Sequence, residues 1–271
     1  GPKMKALGII STQSGLWASG RTWTGGVVPG YGDTVIINDG HVVTIATSTS
    51  VTIGNSPTDD VSTPAIQDNG TTGTGVLNVA QGATLTYRGS IRQSNATWAI
   101  ADGAVIKHDS SLASGTPSYT WQIGQSASPA NSLLTINGLV GNRVTFTTAT
   151  SSGQSGGFTN SNTDWSDTGR LTAAYTDFSN WGITSGSNSG FLKFNYSTSG
   201  VGLRLDHVTI NNSGRFLCNN YYMGAGAVIH LDDVKITNPT FSNGESFEIL
   251  SNAEKGAGGE RLIQNSYIEG M

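Results

Sequence analysis

One phrase recurs four times in the second half of the chain and constrains the fold more than any other feature. Residues 171–180 read LTAAYTDFSN, 203–212 LRLDHVTINN and 229–238 IHLDDVKITN without gaps, and 262–270, LIQNSYIEG, fits the same frame. The copies are offset by 32, 26 and 32 residues, so a constant motif alternates with loops of variable length. That arithmetic predicts stacked repeats. Each copy carries two apolar pairs, Leu203 and Leu205 then Val208 and Ile210, separated by two polar residues. Period-two alternation interrupted once describes a strand that stops, bends and restarts, placing both pairs inside one coil.

The bend falls on Tyr175, His207, Asp233 and Asn265 in successive copies. His, Asp and Asn are enriched among residues with positive φ, the conformation of a sharp corner. His207 therefore reads as a corner residue rather than a catalyst. Asn180, Asn212 and Asn238 close the motif and are expected to stack, bonding side chain to backbone between coils.

The rest of the 271 residues agrees with an all-β chain. Lys and Arg number 14 and Asp and Glu 18, about half the usual charged share of roughly 25%, while Gly reaches 37. Helix-filling Glu and Lys are scarce and Ser and Thr abundant, which excludes an all-α protein. Six Trp, eight Tyr and eight Phe supply a core, which excludes wholesale disorder. The net charge of −4 and scattered basic residues give no footprint for nucleic acid or an anionic membrane. The single Cys218 permits no internal disulfide and reads as a small buried apolar residue. No apolar run reaches the roughly 20 residues that span a bilayer.

In the first half, apolar residues alternate in 34–37 and 41–45 around Asn38-Asp39-Gly40, a signal for a hairpin or a sharp corner. Short strands of period two are expected in 75–79, 82–87 and 98–106, with 56–75 as a polar loop. Three segments are expected: 1–8 as a tag remnant and leader with the native start at Met4, 9–55 as a capping segment, and 56–271 as the repeat domain, continuing past Met271. A cap is needed because a first coil otherwise exposes strand edges and an apolar end.

The copies at 203–212 and 229–238 resemble coils of right-handed parallel β-helix proteins of the pectate-lyase-like kind. Residues 134–148, LTINGLVGNRVTFTT, are similar to a phrase of bacterial surface β-helices. Trp17, Trp23 and the run Gly25-Gly26-Val27-Val28-Pro29-Gly30, followed by Gly32-Asp33, resemble the opening of the eight-glycine domain at the head of such proteins. The resemblance implies an all-β, single-stranded right-handed parallel β-helix with an N-terminal cap, secreted or placed on a cell surface or virion such as a phage tail. It implies a polysaccharide or cell-surface glycan as partner; separately, the coil at 262–270, which no polar cap follows, leads to the expectation of a longer parent chain first and a homotrimer second. It does not decide function, since such folds include lyases, hydrolases, phage tailspikes, adhesins and non-catalytic receptor ectodomains.

Two outward columns follow from the alternation: Thr172, Arg204 and His230, and Asp177, Thr209, Lys235 and Tyr267, with Asp206 and Asp232 beside the bend. Pectate-lyase-like enzymes set acids and a base on an exposed sheet face, which nominates Asp177, Arg204, Asp206, His230, Asp232 and Lys235 as a catalytic group. The competing reading makes them solvated outer-face residues. Asp206 with Asp232 is a carboxylate pair for glycoside hydrolysis, at or below the lower limit of the required separation. No nucleophile elbow, phosphate loop or dinucleotide fingerprint is present. No cofactor is implied; Asp39-Gly40 and Asp59-Asp60 offer weak support for Ca²⁺, and turn chemistry accounts for them better. Trp17 and Trp23 read as cap or core, Trp121 and Trp165 as residues near loops, and Trp181, Tyr221, Tyr222 and Tyr267 as candidates for stacking on sugar. The expected function is recognition of polysaccharide at a virion or bacterial surface; the alternative is a polysaccharide lyase or glycoside hydrolase acting on the outer face.

Overall fold

A computed structural model describes residues 8–57, 59, 61–70, 73–109, 121–124, 132–149, 156–159, 170–182, 190–195, 202–214, 216–220, 228–239, 247–251 and 260–270, with the backbone alone at 195, 217–220, 228, 248–251, 260 and 261. Tyr221, Tyr222, Trp165 and the Cys218 side chain lie outside this description. Among the described residues there is no α-helix, and the strands pair in parallel in two sheets.

One sheet contains nine strands whose order in space is their order in the chain: Ile9–Ile10, Val35–Ile37, Ile66–Asp68, Ile91–Gln93, Trp121–Ile123, Phe158–Thr159, Leu192–Asn195, Phe216–Asn220 and Phe247–Ser251. The other begins as two rows. One row runs Gly15–Leu16, Val42–Ile45, Val76–Val79, Thr97–Ala101 and Leu133–Asn137; its companion runs Ser50–Ile53, Thr84–Arg88, Val105–Asp109 and Val144–Thr148. The rows meet on Arg170–Ser179, whose first half pairs with Leu133–Asn137 and second half with Val144–Thr148. Gly202–Asn211 and Val228–Thr237 continue as single bent strands, and Glu260–Gln264 and Tyr267–Glu269 close the sheet.

The corner between the rows tells the two halves apart. Early passes turn through several residues, as at Ala101-Asp102-Gly103-Ala104, where Gly103 takes φ 70°. In the later passes a single residue suffices: Tyr175, His207, Asp233 and Asn265 have φ of 46°, 54°, 52° and 53°. The bend read from the repeat is therefore a left-handed residue inside the strand. Asn180, Asn212 and Asn238 form a second such corner, at φ 55°, 50° and 47°. Their contacts differ from the expectation of side chain to backbone: Asn212 Nδ2 donates to Asn180 Oδ1 at 2.5 Å, and Asn238 Nδ2 to Asn211 Oδ1 at 3.2 Å.

The inward side chains form one apolar interior between the sheets. Trp98, Trp121, Phe146, Phe158, Phe178 and Trp181 meet there edge-on or tilted, with centroids 4.8–6.3 Å apart where they touch. Phe191, Phe216 and Phe247 stack from pass to pass at 5.8 and 4.8 Å. Each such pair adds about 0.5–1.5 kcal/mol beyond the area it buries. Trp17 and Trp23 are buried at the N-terminal end, each indole nitrogen donating to a backbone carbonyl, that of Pro29 and that of Trp17.

Of the two readings of Asn38-Asp39-Gly40, hairpin or sharp corner, the structure shows the corner, since Val35–Ile37 and Val42–Ile45 belong to different sheets. One expectation changes. The stretch 56–75 is not all loop: Ile66–Asp68 is a strand of the nine-stranded sheet, with Ala65, Ile66 and Asp68 buried.

Candidate functional site

The outer face of the single-residue corner carries the densest set of chemically capable side chains among the described residues. In Gly202–Asn211 the alternation places Leu205 and Val208 inward and leaves Asp206 and His207 both outward. The left-handed residue turns the chain so that two consecutive side chains face solvent, and stacking repeats this in each pass. Register places Ala174, Asp206, Asp232 and Gln264 in one column. It places Thr172, Arg204 and His230 in another, and Asp177, Thr209, Lys235 and Tyr267 in a third.

Asp177 is held by Arg143, whose Nε donates to Oδ1 and Oδ2 at 3.1 and 2.9 Å and whose Nη2 donates to Oδ1 at 2.9 Å. Thr209 Oγ1 adds a donation at 2.6 Å. Partial burial acts to raise the Asp177 pKa, but these hydrogen bonds and the guanidinium charge outweigh it and hold the carboxyl below its ordinary value. Arg143 also donates to the His207 carbonyl at 2.8 Å, so one side chain ties three passes together.

His207 stacks on Tyr175 at 4.6 Å and donates from Nδ1 to Asp206 Oδ1 at 2.6 Å, while its Nε2 lies 3.6 Å from Asp233 Oδ2. Lys235 Nζ lies 3.7 Å from Asp233 Oδ1. Arg204 Nη1 donates to His230 Nδ1 at 3.2 Å, which makes that ring the tautomer protonated on Nε2. Asn265 Nδ2 donates to Asp232 Oδ1 at 3.0 Å; that bond and one from Gln264 keep the Asp232 carboxyl low.

The structure thus places the six nominated residues in five pairwise contacts, of which only Arg204 with His230 joins two of them; the others are Asp177 with Thr209, Asp206 with His207, Asp232 with Asn265, and Lys235 with Asp233. Asp206 and Asp232 are register partners on adjacent strands, which lie about 4.8 Å apart. Trp181 is corrected: its ring is buried among Tyr87, Phe146 and Phe158, so it has no face to offer a sugar. Trp121 is likewise interior. Tyr267 is exposed and lines an apolar cavity of 360 Å³ with Leu231, Val234, Ile236, Ile263 and Ile268. Arg143 escaped the sequence reading because its partner Asp177 is 34 residues away, a relation set only by register.

Among the described residues no group of three or more His, Cys, Asp and Glu side chains is arranged to hold a metal ion. None of their helices is long and apolar enough to cross a membrane.

Two further titratable groups are buried. Asp68 accepts from the Ser94 backbone N–H at 2.5 Å, and its Oδ1 lies 2.6 Å from Ser94 Oγ, which is also 2.8 Å from the Gly70 carbonyl. One hydroxyl hydrogen cannot serve both oxygens; if Asp68 carries the proton it donates to Oγ, and the hydroxyl donates to Gly70. Burial pushes the Asp68 pKa up to about 7 against the Ser94 hydrogen bonds and the Arg92 charge. His108, stacked on Tyr87 at 4.5 Å and donating to the Gly89 carbonyl from Nε2 at 2.5 Å, is pushed by burial down to about 4.

Compared with protein-family models, with curated proteins and with solved structures, the chain matches none.

Proposed function

We propose that the chain is a single-stranded right-handed parallel β-helix, capped by its N-terminal segment, that binds polysaccharide along its outer face at a bacterial or virion surface. The reading rests on one observation: the charged groups of the corner lie on the outer face and are engaged pass by pass in hydrogen bonds and ion pairs, rather than converging unpaired on a cleft. A general acid needs a raised pKa and a base needs a free lone pair. Asp177 and Asp232 are instead stabilised as carboxylates, and Asp206 accepts from His207. What remains is a ladder of donors and acceptors repeated at the strand spacing, with the stacked Tyr175 and His207 rings beside it, which suits a repetitive polar polymer.

The test is retention of the pure chain on immobilised acidic and neutral polysaccharides, alongside Arg204→Ala and an Asp206→Asn/Asp232→Asn double variant. Retention of the parent and its loss in the variants, all with unchanged far-ultraviolet circular dichroism, supports the reading. Failure of the parent to bind any member overturns it. Turnover of a bound polymer replaces it with the lyase or hydrolase alternative.

A further inference from the structure

Far from the corner, at the N-terminal end, Tyr31 is 70% exposed yet fixed in place. It stands on a tight turn in which the Gly30 N–H donates to Asp33 Oδ2 at 2.9 Å and the Asp33 N–H donates to the Gly30 carbonyl at 3.0 Å. Gly32, at φ 90°, supplies the positive φ this turn needs. The turn is stitched to Gly54 by a parallel bridge at Tyr31, with the Gly32 N–H donating to the Gly54 carbonyl at 3.0 Å. The Trp17 indole donates to the Pro29 carbonyl and holds the segment leading into the turn.

One face of the Tyr31 ring is occupied from within the protein. The Arg88 guanidinium lies 4.4 Å from its centroid, and Arg88 is itself anchored: Nη1 donates to the carbonyls of Asn55 and Gly54 at 3.0 and 3.5 Å, and Nε lies 3.3 Å from Asp109 Oδ2. A cation over one face orders the ring at little further entropic cost. Beside it is a groove of 280 Å³ lined by Tyr31 itself, by the apolar Trp17, Val28 and Pro29, and by the hydroxyl-bearing Thr49, Ser50 and Thr52. The three hydroxyl residues are exposed.

We propose that this groove is a subsite for one neutral sugar ring of a polysaccharide, stacked against Tyr31 and hydrogen-bonded by the hydroxyls of Ser50 and Thr52. A concave site with an ordered aromatic wall and a few convergent hydroxyls matches a ligand with apolar C–H faces and a polar rim. Neutrality follows from the lining, which contains no charged residue; the charges beside it are committed elsewhere, Arg88 to Asp109 and the Asn55 and Gly54 carbonyls, and Asp33 to the Gly30 N–H. The inference rests on the polysaccharide reading above, and Ser50 links the two regions because its column continues through Thr84, Val105, Thr145, Asp177, Thr209 and Lys235.

The experiment titrates the full chain, Tyr31→Ala and Tyr31→Phe with dextran, amylose, xylan and polygalacturonate in affinity electrophoresis. Tyr31→Ala should weaken retention on a neutral polymer about tenfold, the scale of one aromatic contact, while Tyr31→Phe keeps most of it. Unchanged urea midpoints in both variants exclude a folding defect. Parental binding that Tyr31→Ala leaves intact, equal loss in Tyr31→Phe, or retention on polygalacturonate alone would each overturn the subsite while leaving the polysaccharide reading standing. No parental retention on any polymer overturns both.

Discussion

Asp68 and His108 set opposing pH dependences inside the same interior, and replacing one exposes the other. Asp68 has its pKa raised in the folded chain to about 7, so between about pH 4 and pH 7 the native state holds a proton that the unfolded chain has released. Its contribution is therefore present at low pH and lost as pH rises through about 7. A separation of about three pH units at about 1.4 kcal/mol each gives about 4 kcal/mol as an upper value. His108 behaves in the reverse sense: lowered to about 4, it stays neutral where the unfolded imidazole is charged, and its contribution, about 3 kcal/mol, is lost as pH falls from about 6.5 towards 4. In the shared window the slopes largely cancel, and above about pH 6.5 the Asp68 slope stands alone. Asp68→Asn keeps an acceptor for the Ser94 N–H and a donor for Ser94 Oγ, so it imitates the protonated carboxyl. Urea midpoints followed by tryptophan fluorescence between about pH 4 and pH 8 should show Asp68→Asn matching the parent at the acid end and exceeding it at the alkaline end, with a steeper loss on acidification. A variant weaker than the parent at the alkaline end, or a difference independent of pH, would refute the protonated Asp68.

Other substitutions probe the corner and the core. His207→Val should cost about 1–2 kcal/mol in urea denaturation because a β-branched residue is forced to positive φ, while His207→Gly should cost far less. Arg143→Lys should lower the thermal midpoint nearly as much as Arg143→Ala, since an ammonium cannot reproduce the fork on Asp177 together with the bond to the His207 carbonyl. Trp181→Ala should destabilise by about 3–5 kcal/mol or abolish soluble expression, whereas Trp181→Phe should retain a folded chain with a lower midpoint.

The repeat at 171–180, 203–212 and 229–238 was legible because a single left-handed residue makes each corner, so the alternation on both sides remains in one frame and the columns follow by counting. The nine-stranded sheet was legible only at Val35–Ile37. Its strands hold as few as two residues, too short for a period, and Ile66–Asp68 lies hidden among the turn residues Pro64 and Asn69-Gly70. Trp181 shows the same failure: it follows the corner Asn180 in a stretch of Gly and Ser, and only the turn of the backbone there aims its ring inward. Asp68 with Ser94, and Arg143 with Asp177, are pairings 26 and 34 residues apart that no local pattern announces. Tyr31 carries no sequence signal beyond its place in the capping segment, because its support, Arg88, comes from a later pass.

The most direct measurement is of turnover on whichever polysaccharide the chain retains, reading new reducing ends and the ultraviolet absorbance of unsaturated uronate ends together. The account predicts retention with neither signal rising over extended incubation, and identical silence in Lys235→Ala and Arg204→Ala. Steady growth of either signal, abolished by one of those substitutions, would contradict a binding surface and establish the corner as a catalytic one.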